Sequence, residues 1–139
     1  MFAPTTEVVD GSWNRISIQN VLAGRELIGR TRGRLATATV ARAGVGRAEL
    51  SCILVTAYGR RLHAAASQRV LLRTPRCLAL WRRMGDVKVG NLVYVADGGI
   101  LALDRVTCVV LAEGHEDLWI TVTTDIRTLC AEEILCRAN

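Results

Sequence analysis

A chain that repeats itself at one fixed offset is confined to few architectures, and this sequence repeats itself once. Glu49, Ile53, Val55, Thr56, Arg60, Leu62 and Ala64 recur 67 positions later as Glu116, Ile120, Val122, Thr123, Arg127, Leu129 and Ala131. Seven identities within sixteen residues exceed what an apolar-rich composition gives by coincidence. A second pair of segments, Val21-Leu22-Ala23-Gly24 and Val87-Lys88-Val89-Gly90, agrees at an offset of 66, with an apolar residue three places after each glycine, Leu27 and Val93. A period near 65 residues is too long for a solenoid, whose units run to roughly 20–50 residues. The expectation is one domain, 1–139, with pseudo-two-fold symmetry and halves of about 1–70 and 71–139.

Periodicity favours strands. The segments 50–55, 70–72, 92–95, 106–111 and 118–122 are short runs of apolar and β-branched residues bounded by Gly, Pro, Asp or Arg, too short for helices. Asp10-Gly11-Ser12 and Asp97-Gly98-Gly99 are turn signals, where a positive φ is adopted cheaply. Helical turns are expected only within 16–21 and 78–87, each shortly before a glycine, Gly24 and Gly90. An all-β fold of many short strands with one or two helical turns follows.

The composition limits the function. A length of 139 residues suffices for one core, and no apolar run approaches the ~18 residues of a membrane span. The start, Met1-Phe2-Ala3-Pro4-Thr5-Thr6-Glu7, lacks the basic-then-apolar order of a secretory signal, so a cytoplasmic protein is expected. Cys52, Cys77, Cys108, Cys130 and Cys136 are odd in number and lack C-x-x-C spacing, which fits neither a disulfide framework nor a zinc knuckle. No P-loop or metal-ligand spacing occurs, so neither cofactor nor metal is expected. The net charge of +5 raises nucleic-acid binding through Arg30, Arg32, Arg34, Arg60, Arg61, Arg73, Arg76, Arg82 and Arg83. All eighteen basic residues except Lys88 are arginine, which a coding bias explains equally well, and three Trp, two Tyr and one Phe are few for a base-stacking platform.

Taken in order, the motifs resemble those of one family. The opening Phe2-Ala3-Pro4-x-Thr6-x-Val8-x-Asp10-Gly11-Ser12-Trp13, the Val-x-x-Gly turn, then Ile120-Thr121-Val122, Ala131-Glu132-x-Ile134-Leu135 and a final Asn139 are similar to an intein of the Hedgehog/intein (Hint) type without an endonuclease insert. The resemblance covers the whole chain. It implies a pseudo-two-fold horseshoe of β-strands whose two ends meet in a central cleft, with the splice junctions at Met1 and Asn139. The place where an insert commonly sits corresponds to Asp97-Gly98-Gly99-Ile100.

The resemblance also implies a chemistry that can be carried over position by position. Splicing begins when a cysteine or serine at the first position attacks the preceding carbonyl, through a β-heteroatom one five-membered ring away. Met1 stands there, and a thioether has no proton to lose. The family's T-x-x-H motif polarises that bond and protonates its leaving amide; the matching positions here are Ala65 and Gln68. Glutamine donates a hydrogen bond but shuttles no proton near neutral pH. Ala138 replaces the penultimate histidine that assists cyclisation. Asn139 alone keeps its chemistry, its side-chain amide nitrogen attacking its own carbonyl to close a succinimide. His63 is read as structural or solvent-facing, His115 lies in a polar turn, and Cys130 and Cys136 are read as buried structural thiols, with substitution for the missing nucleophile as their other reading.

The expected function is autocatalytic protein splicing by a single-turnover element that is impaired as written. Its expected partners are flanking host segments in cis, without membrane or nucleic acid, and it is expected to be a monomer. The alternative is a non-catalytic basic β-domain that binds nucleic acid or serves as an assembly scaffold.

Overall fold

The computed structural model describes residues 1–113 and 118–138. Strands β1 (Glu7–Val9) and β2 (Arg15–Ser17) lead into a 3-10 turn (Ile18–Asn20), followed by β3 (Glu26–Thr31), β4 (Arg34–Gly46), β5 (Leu50–Thr56) and β6 (Arg61–Ala65). The same order then recurs: β7 (Arg69–Thr74), β8 (Cys77–Arg83), a second 3-10 turn (Met84–Asp86), β9 (Leu92–Asp97), β10 (Ile100–Glu113), β11 (Trp119–Thr124) and β12 (Thr128–Ala131), closed by β13 (Ile134–Arg137).

The recurrence extends to single hydrogen bonds. Each 3-10 turn follows an extended residue, Ser17 at φ −63 and Arg83 at φ −62. In each copy a valine N–H then returns to the first carbonyl of the turn, Val21 to Ile18 and Val87 to Met84, both at 3.2 Å. Gly24 and Gly90 follow at φ +87 and +95, with open space around both, so glycine is needed there for its backbone freedom and not for room. Their N–H groups donate to Val40 and Val106 at 2.7 and 2.8 Å, acceptors that are themselves 66 residues apart.

The long strands lock the copies together. In β4, Arg34 to Thr39 pair with β3 of the same half, whereas Val40 to Gly46 pair with β11 of the other. β10 mirrors this, Ile100 to Arg105 pairing with β9 and Val106 to Glu113 with β5. Each changes partner beside a bulge, at Ala41 and at Thr107, where one unpaired residue re-aims the strand. Neither half can complete its sheets alone.

The strands form one large sheet, β2-β1-β12-β13-β7-β9-β10-β5-β6 with β8 on β7, and a smaller one, β11-β4-β3. The amino end joins them, since Phe2 bridges both Ile120 of β11 and Ala64 of β6. Its ring is 1 % exposed, and burial of that size contributes about 1.5–3 kcal/mol. Phe2, Leu54, Leu62, Leu72, Met84 and Ile134 belong to the main core, and Val9, Ile28, Leu71, Cys130 and Leu135 to a second. β12 is buried on both faces and packs on β3 closely enough that a Cβ on Gly29 would lie 2.5 Å from Thr128 Oγ1.

The all-β class, the five sequence-read strands and the helical turns expected within 16–21 and 78–87 agree with the structure. The second helical turn is confined to Met84–Asp86, because Val70, Leu71 and Leu72 pair across to Arg82, Trp81 and Leu80 and hold the residues before it as strand. One local reading needs correction, that of the Asp10-Gly11-Ser12 turn signal. At the first turn the positive φ falls on Trp13 (φ 65) and not on Gly11, because the Asp10 carboxylate takes the Ser12 and Asn14 N–H groups and fixes the loop around itself. Asp97 and Ile100 are joined by Gly98 and Gly99 alone, at φ +57 and +86. Among the described residues no helix is long and apolar enough to cross a membrane.

Candidate active site

The turn after β6 delivers Gln68 to the point where the two ends of the chain meet. Ala65 accepts the Gln68 N–H at 2.9 Å, and Gln68 returns its own carbonyl to the Met84 N–H at 2.8 Å, which fixes the backbone on both sides. The side chain, 6 % exposed, then acts as a clamp. Its Oε1 accepts from the Met1 nitrogen at 2.7 Å, and its Nε2 donates to the Arg137 carbonyl at 2.8 Å and the Arg69 carbonyl at 3.1 Å. One amide thus holds the first residue of the chain and the last residue of β13.

Main-chain bonds align the amino end. Ala65 N–H donates to the Met1 carbonyl (2.9 Å), Phe2 exchanges bonds with Ile120 (2.9 and 2.8 Å), and Ala3 N–H donates to the His63 carbonyl (3.0 Å). Burial pulls the Met1 amine below its ordinary value, against a smaller opposing influence of Cys136. On the far side of the residue a Cβ at Gly46 would stand 2.6 Å from Met1 Sδ, so that glycine makes room for the first side chain.

The site is poor in proton-transfer groups. Ala65 contributes only main chain, and Ala138, 1 % exposed, is held by its N–H on the Arg127 carbonyl at 2.9 Å. His63 is partly buried, with its ring edge-on to Trp119 at a centroid distance of 5.3 Å, a packing role. Cys136 is wholly buried, its thiol pushed up to about 12 by desolvation, and donates to the Ile134 carbonyl at 3.3 Å. Desolvation raises Cys130 further still. Burial thus keeps both thiols protonated at neutral pH, which favours the structural reading of both. Asn139 and His115 lie outside the described residues.

A second polar cluster forms around Arg60. Its guanidinium reaches Asp104 at 2.8 Å, Glu133 at 3.3 Å and Asp97 at 3.5 Å, while Thr56 Oγ1 donates to Asp104 at 2.5 Å. Burial opposes ionisation of Asp104, but the bonds from Thr56, Arg60 and the Tyr58 N–H prevail and hold its carboxyl below the usual range. Arg60, read from the sequence among the nucleic-acid contacts, is therefore an internal clamp. All five cysteines are free thiols, and among the described residues no three His, Cys, Asp or Glu side chains are placed to hold a metal.

Two duplicated β-rich halves exchanging strands around a cleft that joins both chain ends define the Hint fold of inteins. Solved structures agree over nearly the whole chain. The DnaB intein from Synechocystis sp. PCC 6803 superposes with a TM-score of 0.86 at 19% identity, covering 99% of this chain and 97% of that one. The PabCDC21-1 intein gives 0.86 at 16% identity (99% and 98% covered), and a bacterial intein-like domain from Clostridium thermocellum gives 0.81 at 16% (98% and 96%). No family model matches the sequence, and no curated protein matches it.

The sequence reading named Met1, Ala65, Gln68 and Ala138, and the structure gathers the first three within one hydrogen-bonded group with Ala138 one residue beyond the clamped Arg137 carbonyl. It passed over the Arg137 carbonyl, Gly46 and Trp119. A main-chain acceptor carries no sequence signal, and the need for glycine at position 46 arises only once Met1 is seated beside it.

Proposed function

We propose that this chain is an intein-type autoprocessing domain, one duplicated unit acting in cis on peptide bonds at its own two ends, in which the opening acyl shift is silent and cyclisation of Asn139 is the surviving step. The observation that carries the reading is the Gln68 clamp, which holds the Met1 nitrogen and the Arg137 carbonyl with one side chain. Were Met1 preceded by a host segment, its nitrogen would keep one N–H for Gln68 Oε1, and the first scissile bond would lie at the clamp.

The chemistry follows from the groups present. At the first junction Met1 offers no heteroatom proton and Gln68 cannot protonate a leaving amide, so no ester or thioester forms. At the second, the Asn139 Nδ2 attacks the Asn139 carbonyl carbon; an N–C bond forms, the peptide bond to the next residue breaks, and the amide proton passes to the departing amine. Ala138 gives this step no acid, so it runs slowly. The flanking host segments are the substrate and the domain works as a monomer, in a cytoplasm that keeps its thiols free.

The test is a precursor carrying reporter segments on both sides, followed by mass. Slow release of the downstream segment, abolished by Asn139→Ala, and retention of the upstream one are expected. Release that persists in Asn139→Ala removes the mechanism.

A further inference from the structure

The clamp directs the chain upstream of Met1 to one side. Gln68 borders a cleft with Met1, Ser67, Arg69, Arg83 and Arg137, whereas the Met1 side chain turns the other way, toward Gly46. A residue preceding Met1 would bond to the nitrogen held on Gln68 Oε1 and so begin in the arginine cleft.

That cleft is electrostatically unbalanced. Arg69 and Arg83 stand directly opposite each other across the β7–β8 ladder, a pairing of like charges that opposes the sheet unless an anion lies between them. Arg137 comes from β13 and is turned by its guanidinium over Trp81, 5.6 Å from the ring centre. Among the described residues no carboxylate lines the cleft and none of its three arginines forms an ion pair, whereas Arg15, Arg25 and Arg60 each do. The adjoining cleft on the Gly46 side is mixed, with Glu49 and Asp86 beside Arg47 and Arg83. Arginine forks suit planar carboxylates and bind them bidentately.

We infer that Arg69, Arg83 and Arg137 form a docking cleft for an acidic segment of the host chain just upstream of Met1, a specificity that rests on the autoprocessing reading. The experiment appends four-residue upstream tails, Gly-Glu-Glu-Gly, Gly-Gln-Gln-Gly or Gly-Lys-Lys-Gly, to the full chain and compares melting temperatures. In low salt the Glu tail melts about 3 °C above the Gln tail and the Lys tail below it. The spread closes in 0.5 M salt and in the Arg69→Gln/Arg83→Gln variant. Three tails melting alike in low salt, or a Glu advantage that survives the double substitution, overturn the inference. The same chains with a downstream reporter, followed by mass, keep the two readings apart: tail dependence without downstream release upholds the cleft and overturns autoprocessing, and release without tail dependence does the reverse.

Discussion

The turns after β6 and after β12 occupy equivalent places in the two copies, yet they hold the molecule by opposite means. Ala66 and Ser67 lead to Gln68, a neutral amide that ties both ends of the chain. Glu132 and Glu133, both at positive φ (50 and 66), instead supply carboxylates: Glu132 pairs with Arg15 and Glu133 with Arg60 of the other half. Equivalent places in the two copies thus hold turns of opposite hand, with Glu132 and Glu133 alone among these residues at positive φ, and serve once as a neutral clamp and once as an ionic staple. Duplication fixes where the chain turns, and the side chains placed there decide what the turn does.

The largest effect that sharpens the contrast is a gain of function at the first turn. Met1→Cys/Ala65→Thr/Gln68→His installs a nucleophile, a polarising hydroxyl and a proton donor together, and thiol-induced release of an upstream reporter should run at least about 100-fold faster than in Met1→Cys alone, the scale of general acid catalysis. Equal rates break the assignment of Ala65 and Gln68. At the second turn, Arg60→Met strands the buried Asp104 carboxylate and should cost about 3–5 kcal/mol by denaturant unfolding. Because the Asp104 carboxyl is depressed in the folded state, its stabilisation is present above the ordinary carboxylate value and lost as pH falls through the lower folded one. Stability unaffected by Arg60→Met would make the staple superfluous.

Gln68→Ala leaves the Met1 nitrogen and the Arg137 carbonyl without their shared partner, a loss of about 1–3 kcal/mol. The smallest effect is a pH dependence from the Met1 amine. Burial lowers its folded value, so the unfolded chain binds more protons below the ordinary amine value of 8.0. Stability should therefore rise with pH as it climbs from the folded value toward 8.0, and the rise should vanish when a residue precedes Met1. A rise that persists with the extension places its origin elsewhere.

Much of this architecture was legible in residues whose physics is local. Val21 to Gly24 and Val87 to Gly90 announce the matching 3-10 turns and positive-φ glycines, and the apolar runs announce five strands. The partner exchange of β4 and β10 was not legible, because the alternation of Arg34–Gly46 is the same whichever strand lies beside it and only the bulge at Ala41 marks the change. Of the site, Met1 and Gln68 could be found as departures from a family pattern. Their bond could not, since it spans 67 residues and ends on a main-chain nitrogen. The opposition of Arg69 and Arg83 was hidden in the same way, because 78–87 was read only for the helical turn within it and the β7–β8 ladder was not foreseen.

The central claim is that one side chain gathers both ends of the chain, and nuclear Overhauser contacts from the Gln68 side-chain amide in the full chain test it most directly. The account predicts cross-peaks from those amide protons to the α-protons of both Met1 and Ala138, with exchange slowed by burial. A Gln68 amide that exchanges like a free glutamine and shows neither contact would contradict it.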